Sequence, residues 1–548
     1  MPPRPWLPSL VSDAVIRARV PVRDEPPMER LFDPIVHDLV HGGPFARERF
    51  ATLWPDTAGL TRLAAAKRHA LSPALVDALV GYHRRLGAPA PALRSIDRLG
   101  RGEVVCTVAG QQPAPLGGPL YSLHKAASAV ALASAVERRT GAACVPLFWM
   151  HGEDSDFAEI RGATLADRSL QLRDLALPDS AHRDGALVGG IPASTLAPLH
   201  AEALAHWAEL PGVDQTREML QLALERAADL GEVTSALMLA LFGESGLVVV
   251  DPRLPAFRAE ARGLLERYLG HAESLSAAVR EAGSRVEQGM GRRPLADAAL
   301  ESFVFAIEDG ARHKISAGEA RRRLAAGGTL SPSVALRPVI QDGVFPTVAM
   351  ACGAAELAYL AQIHEVFEAL GVRSACPVPR LTATWLPPAA LALLDVTGVE
   401  PWTLVTGADA VLRQLAERAV PPAVRSELEA ARQAAQQALE RFAETCRTVD
   451  TSLPQLVESA RGKVDYQFAR LEEGVAGKAR HRLERQHPEW LRLRYYLLPG
   501  DKLQERRIAS LEVVSYRGRA VAAELCDLAG SQAALLERAS HEHLVLEL

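Results

Sequence analysis

The stretch that decides the fold is Glu103–Met150, EVVCTVAGQQPAPLGGPLYSLHKAASAVALASAVERRTGAACVPLFWM. Two short apolar runs, Glu103–Val108 and Cys144–Trp149, flank a segment of helical periodicity, Pro119–Arg138. Proline suits the first turn of a helix, and Gly141 is suited to end it. Apolar runs of this length are typical of buried parallel strands. The stretch therefore predicts a βαβ unit, beyond whose carboxyl strand ends a ligand is expected to bind.

The rest of the chain extends this sheet and adds helices. Gly246–Val250 is a third apolar run, and the preceding region, Arg161–Glu232, is predicted to be a mostly helical insertion that forms a small subdomain. A further α/β region runs through Phe303–Trp385. Two long helical stretches, Val424–Thr448 and Leu453–Arg485, then follow and predict an antiparallel coiled-coil hairpin. The predicted seam consists of Leu428, Ala431, Ala435, Leu439 and Phe442.

Composition excludes several classes of protein. The 548 residues are 48% hydrophobic and 23% charged, as in globular proteins rather than disordered ones. A net charge of -5 argues against a general nucleic-acid binder. The six cysteines form no CxxC pair, which argues against both a disulfide scaffold and a structural zinc site. No signal peptide or membrane span is evident, so we expect a cytoplasmic protein with no membrane or nucleic-acid partner.

The first candidate site follows the first strand. Gly110, Gln111 and Gln112 lead through a glycine-rich turn into the helix that carries His124 and Lys125. The free N–H groups of a helix start favour an anion, which these two basic residues could also reach. The alternative is a plain loop before a helix whose basic residues are solvated. The motif is neither a P-loop nor GxGxxG.

The second candidate site is the acidic turn after the next strand. Glu153, Asp154, Asp156 and Glu159 could together bind a metal ion, an amine or ribose hydroxyls. Asp156 with Glu159 three residues later also resembles a reciprocal helix cap. Because neighbouring strand ends carry this turn and the glutamine motif, we expect both to face one crevice.

Two arginines form a third, weaker signal. Arg337 and Arg380 are expected at strand ends, where a guanidinium suits a carboxylate or phosphate. Each of these arginines, taken alone, is more often part of a surface ion pair. Glu356 could simply stabilise the N-terminus of its helix. The run Gln504–Arg507 is, on spacing alone, most often a solvated helical face.

Taken together, the motifs resemble those of the BshC family, described as the cysteine-adding enzymes of bacillithiol biosynthesis. The residues that carry the resemblance are Gly110-Gln111-Gln112, Gly118-Pro119-Leu120-Tyr121, His124-Lys125, Pro146-Leu147-Phe148-Trp149, Gly152-Glu153-Asp154, Asp156, Arg337-Pro338, Glu356, Pro379-Arg380-Leu381, Lys502-Leu503-Gln504-Glu505-Arg506 and His543-Leu544-Val545-Leu546-Glu547-Leu548.

The resemblance implies an α/β fold with a Rossmann-like parallel-sheet core, helical connecting-peptide insertions and an α-helical antiparallel coiled-coil domain. The domains expected on this basis are 1–160 (first part of the core), 161–232 (helical insertion), 233–400 (core continuation with a second insertion), 401–500 (coiled coil) and 501–548 (a C-terminal segment that returns to the core). It also implies a homodimer formed through the coiled coil.

The implied reaction joins the carboxylate of cysteine to the amine of glucosaminyl-malate. Forming an amide from a free carboxylate requires activation, so ATP is the expected cofactor and magnesium a candidate metal, with no dedicated metal ligand among the residues. The alternatives are a nucleotidyltransferase-like enzyme with another acceptor and a non-catalytic coiled-coil assembly protein.

On this reading the site residues divide into three groups. The candidate catalytic residues are His124, Lys125, Glu153, Asp154 and Asp156. The candidate substrate-binding residues are Gly110, Gln111, Gln112, Tyr121, Trp149, Arg337, Glu356 and Arg380. Glu505 and Arg506 are candidates for a nucleotide-like pocket. The chain departs from the family pattern at Ser155, where the resemblance implies a histidine, and at Gly353-Ala354-Ala355-Glu356, where it implies Gly-Pro-Gly-Glu.

Overall fold

The computed structural model describes residues 15–22, 32–397, 403, 416–450, 452–486 and 488–548. It divides into two compact units. One comprises the described parts of 1–168, 172–388 and 502–548, and the other comprises 169–171 and the described parts of 389–501.

The strands in chain order are β1 (Ile16–Pro21), β2 (Val105–Gln111), β3 (Cys144–Met150), β4 (Gly162–Ala166), β5 (Leu172–Ala176), β6 (Val248–Val250), β7 (Val304–Glu308), β8 (Ala311–Lys314), β9 (Thr329–Pro332), β10 (Thr347–Cys352), β11 (Cys376–Pro379), β12 (Ala383–Leu386) and β13 (Glu542–Glu547).

The helices are α1 (Pro34–Val40), α2 (Pro44–Arg49), α3 (Thr57–Lys67), α4 (Pro73–Arg85), α5 (Ala90–Gly100), α6 (Tyr121–Thr140), α7 (Phe157–Ile160), α8 (Ala197–His206), α9 (Val213–Arg226), α10 (Leu230–Phe242), α11 (Pro255–Met290), α12 (Ala317–Ala325), α13 (Arg337–Val344), α14 (Ala354–Gln362), α15 (His364–Ala369), α16 (Pro388–Thr397), α17 (Pro422–Cys446), α18 (Leu453–Gln486), α19 (Pro488–Leu497), α20 (Ser510–Arg517) and α21 (Val521–Leu536).

A five-stranded parallel sheet forms the core of the first unit, in the order β11-β10-β2-β3-β6. β2 and β3 pair in register from Val105 with Cys144 to Gln111 with Met150, and every residue of both strands is buried. Strands buried on both faces read as continuous apolar runs, which is why the sequence revealed them. The predicted Rossmann-like parallel-sheet core is confirmed.

The order of the strands indicates where a ligand site is expected. From β2 the chain builds outward to β3 and β6 on one side, and it later adds β10 and β11 on the other. β2 and β10 therefore flank a topological switch point, where the carboxyl ends of the strands open into a crevice. The α6 helix follows β2 and is buried except at its two ends and at Ser134. It ends before Gly141, whose φ of 71° is the left-handed conformation that glycine adopts readily.

The segment 161–232 differs from the predicted helical subdomain. It contains the antiparallel pair β4–β5 before α8 and α9. Thr164 forms a bridge with Ile508, and the Ala166 N–H donates to the buried Glu512 carboxyl oxygen Oε2 at 2.7 Å. The segment therefore packs into the first unit, through contacts with a part of the chain more than 300 residues away.

Two smaller sheets complete the first unit. β8-β7-β9 is antiparallel, and β13 lies between β1, with which it is antiparallel, and β12, with which it is parallel. Because β13 belongs to the last part of the chain, residues 502–548 join the same unit as the parallel sheet.

The second unit contains the predicted helical hairpin, α17 and α18. Gln436 on α17 donates to Asp465 on α18 at 2.8 Å, and Leu428, Ala435 and Leu439 are half-buried. Ala431 and Phe442, which the predicted seam also included, are exposed and belong to the outer face of the hairpin. No helix among the described residues combines the length and apolar character needed to cross a membrane.

Candidate active site

A cavity of about 320 Å³ opens at the switch point of the parallel sheet. Segments that follow β2, β3, β10 and β11 contribute to it, as do α6, α13, α14 and the turn at 504–506. The cavity is lined by Gly110, Gln111, Gln112, Tyr121, Lys125, His151, Asp154, Glu159, Val334, Arg337, Gly353, Ala354, Ala355, Glu356, Tyr359, Arg380 and Arg506.

Lys125 is the buried cation on the floor of the cavity. Its Nζ donates to the Gly110 carbonyl at 2.7 Å and to Gln111 Oε1 at 3.1 Å, and it pairs with Glu356 at 2.6 Å. An ammonium group has three donors, so these partners occupy all of them. Glu356 also accepts from the Gly353 N–H at 2.8 Å, which ties the ends of β2 and β10 together.

The two glutamines continue this network toward the acidic turn. Gln111 Nε2 donates to Gln112 Oε1 at 3.1 Å and to the Tyr121 hydroxyl at 3.0 Å. Gln112 Nε2 in turn donates to Glu159 at 2.7 Å and to Asp154 at 3.3 Å. The two amides thus connect the lysine to the carboxylates on the opposite side of the cavity.

Asp154 lies between two arginines. Arg312 Nη1 is 3.8 Å from Asp154 Oδ1, and Arg337 Nη2 is 4.0 Å from Oδ2. Burial acts to raise the pKa of Asp154, but Arg337, Arg312 and backbone N–H donors outweigh it and hold the pKa below its usual value. A carboxylate stabilised in its ionised form is suited to orienting cations and is a weak proton acceptor.

Arg380 is held by a carboxylate beneath the cavity. Its Nη2 donates to Glu505 Oε1 at 2.6 Å, and Glu505 also accepts from His124 Nδ1–H at 2.9 Å and from the Thr382 hydroxyl at 3.1 Å. Burial would raise the pKa of Glu505, but Arg380 and His124 keep it well below its usual value. Glu505 therefore fixes the guanidinium over the Tyr121 ring, 5.3 Å from its centroid.

Arg506 differs from the other cations of the cavity. Gln504, two residues earlier, exchanges hydrogen bonds with both backbone groups of Trp385, which anchors the turn. Arg506 is exposed at the cavity, and nothing among the described residues is recorded as ion-paired or hydrogen-bonded to its guanidinium. It is thus the basic side chain with the most freedom to take an anionic ligand.

The structure brings ten of the candidate site residues to the cavity wall: Gly110, Gln111, Gln112, Tyr121, Lys125, Asp154, Arg337, Glu356, Arg380 and Arg506. Arg337 reaches it from the first turn of α13 rather than from a strand end as expected. The remaining five, His124, Trp149, Glu153, Asp156 and Glu505, do not line it.

Each of the five has a structural role instead. Glu153 is buried and accepts from Arg258 at 2.7 Å and from Ser331 at 2.8 Å, which joins the acidic turn to α11 and β9. Trp149 packs edge-on against Phe257 in the core. His124 and Glu505 are fully buried and bonded to each other, so neither can touch a substrate or nucleotide directly.

Asp156 caps α7. It accepts from the Glu159 N–H at 3.1 Å, which is one half of the predicted reciprocal cap. The other half is absent, because the Glu159 side chain turns instead to Gln112 in the cavity.

The start of α6 does not provide the predicted anion site. The Leu120 N–H donates to the Ile508 carbonyl at 2.8 Å, and the Ser122 N–H donates to the Pro119 carbonyl at 2.8 Å. The Ser510 N–H meanwhile donates to Gly118 O at 2.8 Å. Gly118 has a φ of 76°, so glycine is required there by the turn, which the segment 508–510 covers.

Sequence reasoning did not include seven of the lining residues among its site residues: His151, Glu159, Val334, Gly353, Ala354, Ala355 and Tyr359. Two signals could have found some of them. His151 directly follows β3, and Tyr359 lies three residues after Glu356 and so on the same face of α14. Among the residues described, no group of three or more His, Cys, Asp or Glu side chains is arranged to hold a metal ion.

Comparisons with known proteins match both parts of the chain. Residues 28–381 match the family described as "Bacillithiol biosynthesis BshC, N-terminal Rossmann-like domain", and residues 383–547 match "Bacillithiol biosynthesis BshC, C-terminal coiled-coil domain". Three relatives, each named "Putative cysteine ligase BshC", are 30% identical. The Koribacter versatilis protein aligns over 83% of this chain and 88% of its own length, the Solibacter usitatus protein over 85% and 89%, and the Thermus thermophilus protein over 79% and 88%.

Proposed function

This chain belongs to the BshC family, and on that premise we propose that it is an ATP-linked ligase that joins the cysteine carboxylate to the amine of glucosaminyl-malate. The product would be bacillithiol, and the new bond an amide. The observation that carries the proposal is the cavity at the switch point, where four basic and three acidic side chains converge.

The charge of the cavity suits substrates that carry both carboxylates and amines. Its cations are Lys125, Arg337, Arg380 and Arg506, and its anions are Asp154, Glu159 and Glu356. Cysteine is a zwitterion, and the malate part of the second substrate carries two carboxylates. Guanidinium groups bind carboxylates through two parallel hydrogen bonds, and carboxylates accept hydrogen bonds from an ammonium group.

The contacts that these side chains make within the protein indicate which of them are available to a ligand. Lys125 and Arg380 already have protein partners, so they shape the floor of the cavity. Among the described residues, no ion pair or hydrogen bond engages the Arg506 guanidinium, and Arg337 contacts His151 through Nη1 and lies 4.0 Å from Asp154 through Nη2. These two are the proposed receptors for substrate carboxylates or phosphates. Glu159, at the exposed edge, is the proposed receptor for the substrate amine.

An amide does not form readily from a free carboxylate, so the reaction needs an activated cysteine. ATP, when bound, supplies that activation as an adenylate or an acyl phosphate. Arg337 and Arg506 fit its anionic phosphates, because both present guanidinium groups to the same cavity. The chain's own residues would bind and orient the two substrates beside it.

We also propose that the protein is a homodimer formed through α17 and α18. The support is the exposure of the hairpin. No described residue of α17 is buried, and the Phe442 side chain on the outer face is 60% exposed. Exposed apolar positions at helical spacing are typical of an interface between helices.

The decisive experiment is a mass-spectrometric assay for bacillithiol with purified protein, cysteine and glucosaminyl-malate, with and without ATP and magnesium. We expect product only when ATP is present. Product without ATP would contradict the activation step. The absence of product under every condition would contradict the ligase, and pyrophosphate release with another carboxylate would point to the nucleotidyltransferase alternative.

A pair of neighbouring arginines tests the cavity itself. Arg506→Met should lower kcat/KM by about tenfold or more, because a hydrogen-bonded charge pair contributes about 1.5–3 kcal/mol. Arg507→Met is the matched control, since Arg507 is exposed, does not line the cavity and lies 3.6 Å from Asp174. Equal effects of the two substitutions on turnover would refute the proposed role of Arg506.

A further inference from the structure

His151 lines the cavity and has no role in the function proposed above. It is the first residue after β3, and the backbone fixes it on both sides. Its N–H donates to the Gln111 carbonyl at 2.9 Å, and its carbonyl accepts from the Asp154 N–H at 3.2 Å. The imidazole is therefore carried by the end of the sheet, between the glutamine motif and the acidic turn.

Gly110 makes room for this imidazole. A Cβ atom at position 110 would lie 2.5 Å from His151 Nε2 and 3.1 Å from its Cδ2. A Cβ atom could be accommodated only if the imidazole moved away, so glycine allows the ring to lie against the end of β2. The position of the imidazole thus accounts for a glycine at position 110.

The contact with Arg337 determines which ring nitrogen carries the proton. Arg337 Nη1 is in direct contact with His151 Nδ1. A guanidinium group can only donate, so Nδ1 must accept through its lone pair. A neutral imidazole with an accepting Nδ1 carries its hydrogen on Nε2.

The surrounding charges keep the ring neutral. Arg337 on α13 and Lys125 on α6 both face His151, while their carboxylate partners, Asp154 and Glu356, pair with those cations. Burial, followed by Arg337 and Lys125, lowers the pKa of His151 well below its usual value.

Nε2–H is left available to a ligand. No hydrogen-bond partner of Nε2 is recorded among the described residues, and the side chain is half-buried at the cavity surface. A donor with no protein partner, beside two cations, suits an oxygen that carries negative charge.

We propose that His151 is a substrate-binding residue whose neutral Nε2–H donates a hydrogen bond to a carboxylate oxygen of the bound substrate, while its Nδ1 holds Arg337 in place. This inference rests on the proposed function, because it takes the cavity as the substrate site and malate as part of the substrate. It excludes His151 as the general base, because the lone pair that a base needs is already engaged by Arg337.

Nuclear magnetic resonance tests the tautomer directly. In protein labelled with ¹⁵N-histidine, the His151 signals are those lost in His151→Gln. We expect the Nε2–H tautomer with no titration between pH 5.5 and 8, and a shift of the Nε2 resonance when malate is added. An Nδ1–H tautomer, or a titration midpoint near 6.5, would overturn the proposal.

Malate binding to matched variants tests the donor. His151→Gln keeps an N–H donor and should change the malate Kd by less than about threefold, whereas His151→Leu should weaken binding by about tenfold or more. His182→Leu is the control, because His182 stacks on Phe157 with ring centroids 4.7 Å apart and does not line the cavity. Unchanged binding in His151→Leu, or equal loss in His151→Gln, would overturn the proposal.

The two proposals fail in different ways. Malate binding and tautomer state are measured without turnover. If both behave as expected but no amide forms, the ligase proposal fails and the role of His151 stands. If the amide forms but the His151 resonances do not shift when malate is added, only the proposed role of His151 fails.

Discussion

Glu505 shows how a residue that cannot touch a ligand can still control the site. It is fully buried and accepts hydrogen bonds from His124, Arg380, Thr382 and the backbone of Ala383. Its negative charge offsets the buried guanidinium at the edge of the cavity. We regard Glu505 as a positioning residue that acts through Arg380.

Replacing Glu505 with glutamine should separate positioning from binding. The variant leaves a buried arginine without its counter-charge, and breaking a buried ion pair costs about 3–5 kcal/mol of unfolding free energy. We therefore expect Glu505→Gln to lower thermal stability and to raise the KM for the malate-bearing substrate more than it lowers kcat. Steady-state kinetics measure KM and kcat, and thermal unfolding measures the loss of stability.

Glu273→Gln is the matched control for that experiment. Glu273 pairs with Arg321 at 2.7 Å but is exposed and screened by solvent, so removing its charge should change the thermal stability little. Glu505→Asp keeps the charge and should restore part of the affinity. A Glu505→Gln variant as stable as Glu273→Gln, or one whose KM is unchanged, would contradict the positioning role.

The residues at strand ends also show the limit of prediction from sequence. The rule that ligands bind beyond parallel strand ends led to Gln111, Asp154 and Arg380, all of which line the cavity. The same rule included Trp149 and Glu153, which point into the core and toward α11. Successive residues of a strand face opposite sides, and the sequence alone does not say which side is open when both are covered.

At the scale of elements, the hairpin of α17 and α18 makes the dimer proposal testable. Phe442→Ser removes an apolar side chain that is 60% exposed, and should shift the mass seen by light scattering from dimer toward monomer at micromolar concentration. Val449→Ser is the control, because Val449 is 79% exposed at the hairpin loop, beyond the end of α17. A monomeric parent protein, or a dimer insensitive to Phe442→Ser, would contradict the proposal.

Local patterns predicted some elements well and others poorly. The β2–α6–β3 unit followed from short apolar runs around a helix bounded by proline and glycine. The β4–β5 pair did not follow from any local pattern. β5 carries Arg173 and Asp174, and its exposed positions hide the alternation of apolar and polar residues that indicates a strand. The partners of this pair, Ile508 and Glu512, lie in a distant part of the sequence that no local pattern connects to it.

At the scale of the whole molecule, buried histidines govern the response to acid. Burial lowers the pKa of His83, His200 and His543 to about 4, and of His541 to about 3. The unfolded chain takes up protons at these histidines near pH 6.5, where the folded chain does not. Stability therefore falls as pH drops below about 6.5, by about 2 kcal/mol for each such histidine at pH 5.

Thermal unfolding at pH 7 and pH 5 checks this expectation. The Tm should drop markedly at pH 5, and His200→Leu should reduce the drop, because His200 is a buried imidazole in α8 with both nitrogens unpartnered among the described residues. Glu512 acts in the opposite sense: burial raises its pKa to about 8, so its contribution is lost as pH rises from about 4.5 toward 8. A Tm that rises on acidification to pH 5 would contradict the histidine account.

The return of residues 502–548 to the first unit has a consequence for synthesis of the protein. Arg506 completes the cavity, and β13 joins β1 to β12, although Arg19 of β1 and Glu542 of β13 lie 523 residues apart in the sequence. All five strands of the parallel sheet precede Arg506 in the chain, so the sheet is translated before the cation that completes the cavity. The nascent chain therefore presents an incomplete site until translation has passed Arg506.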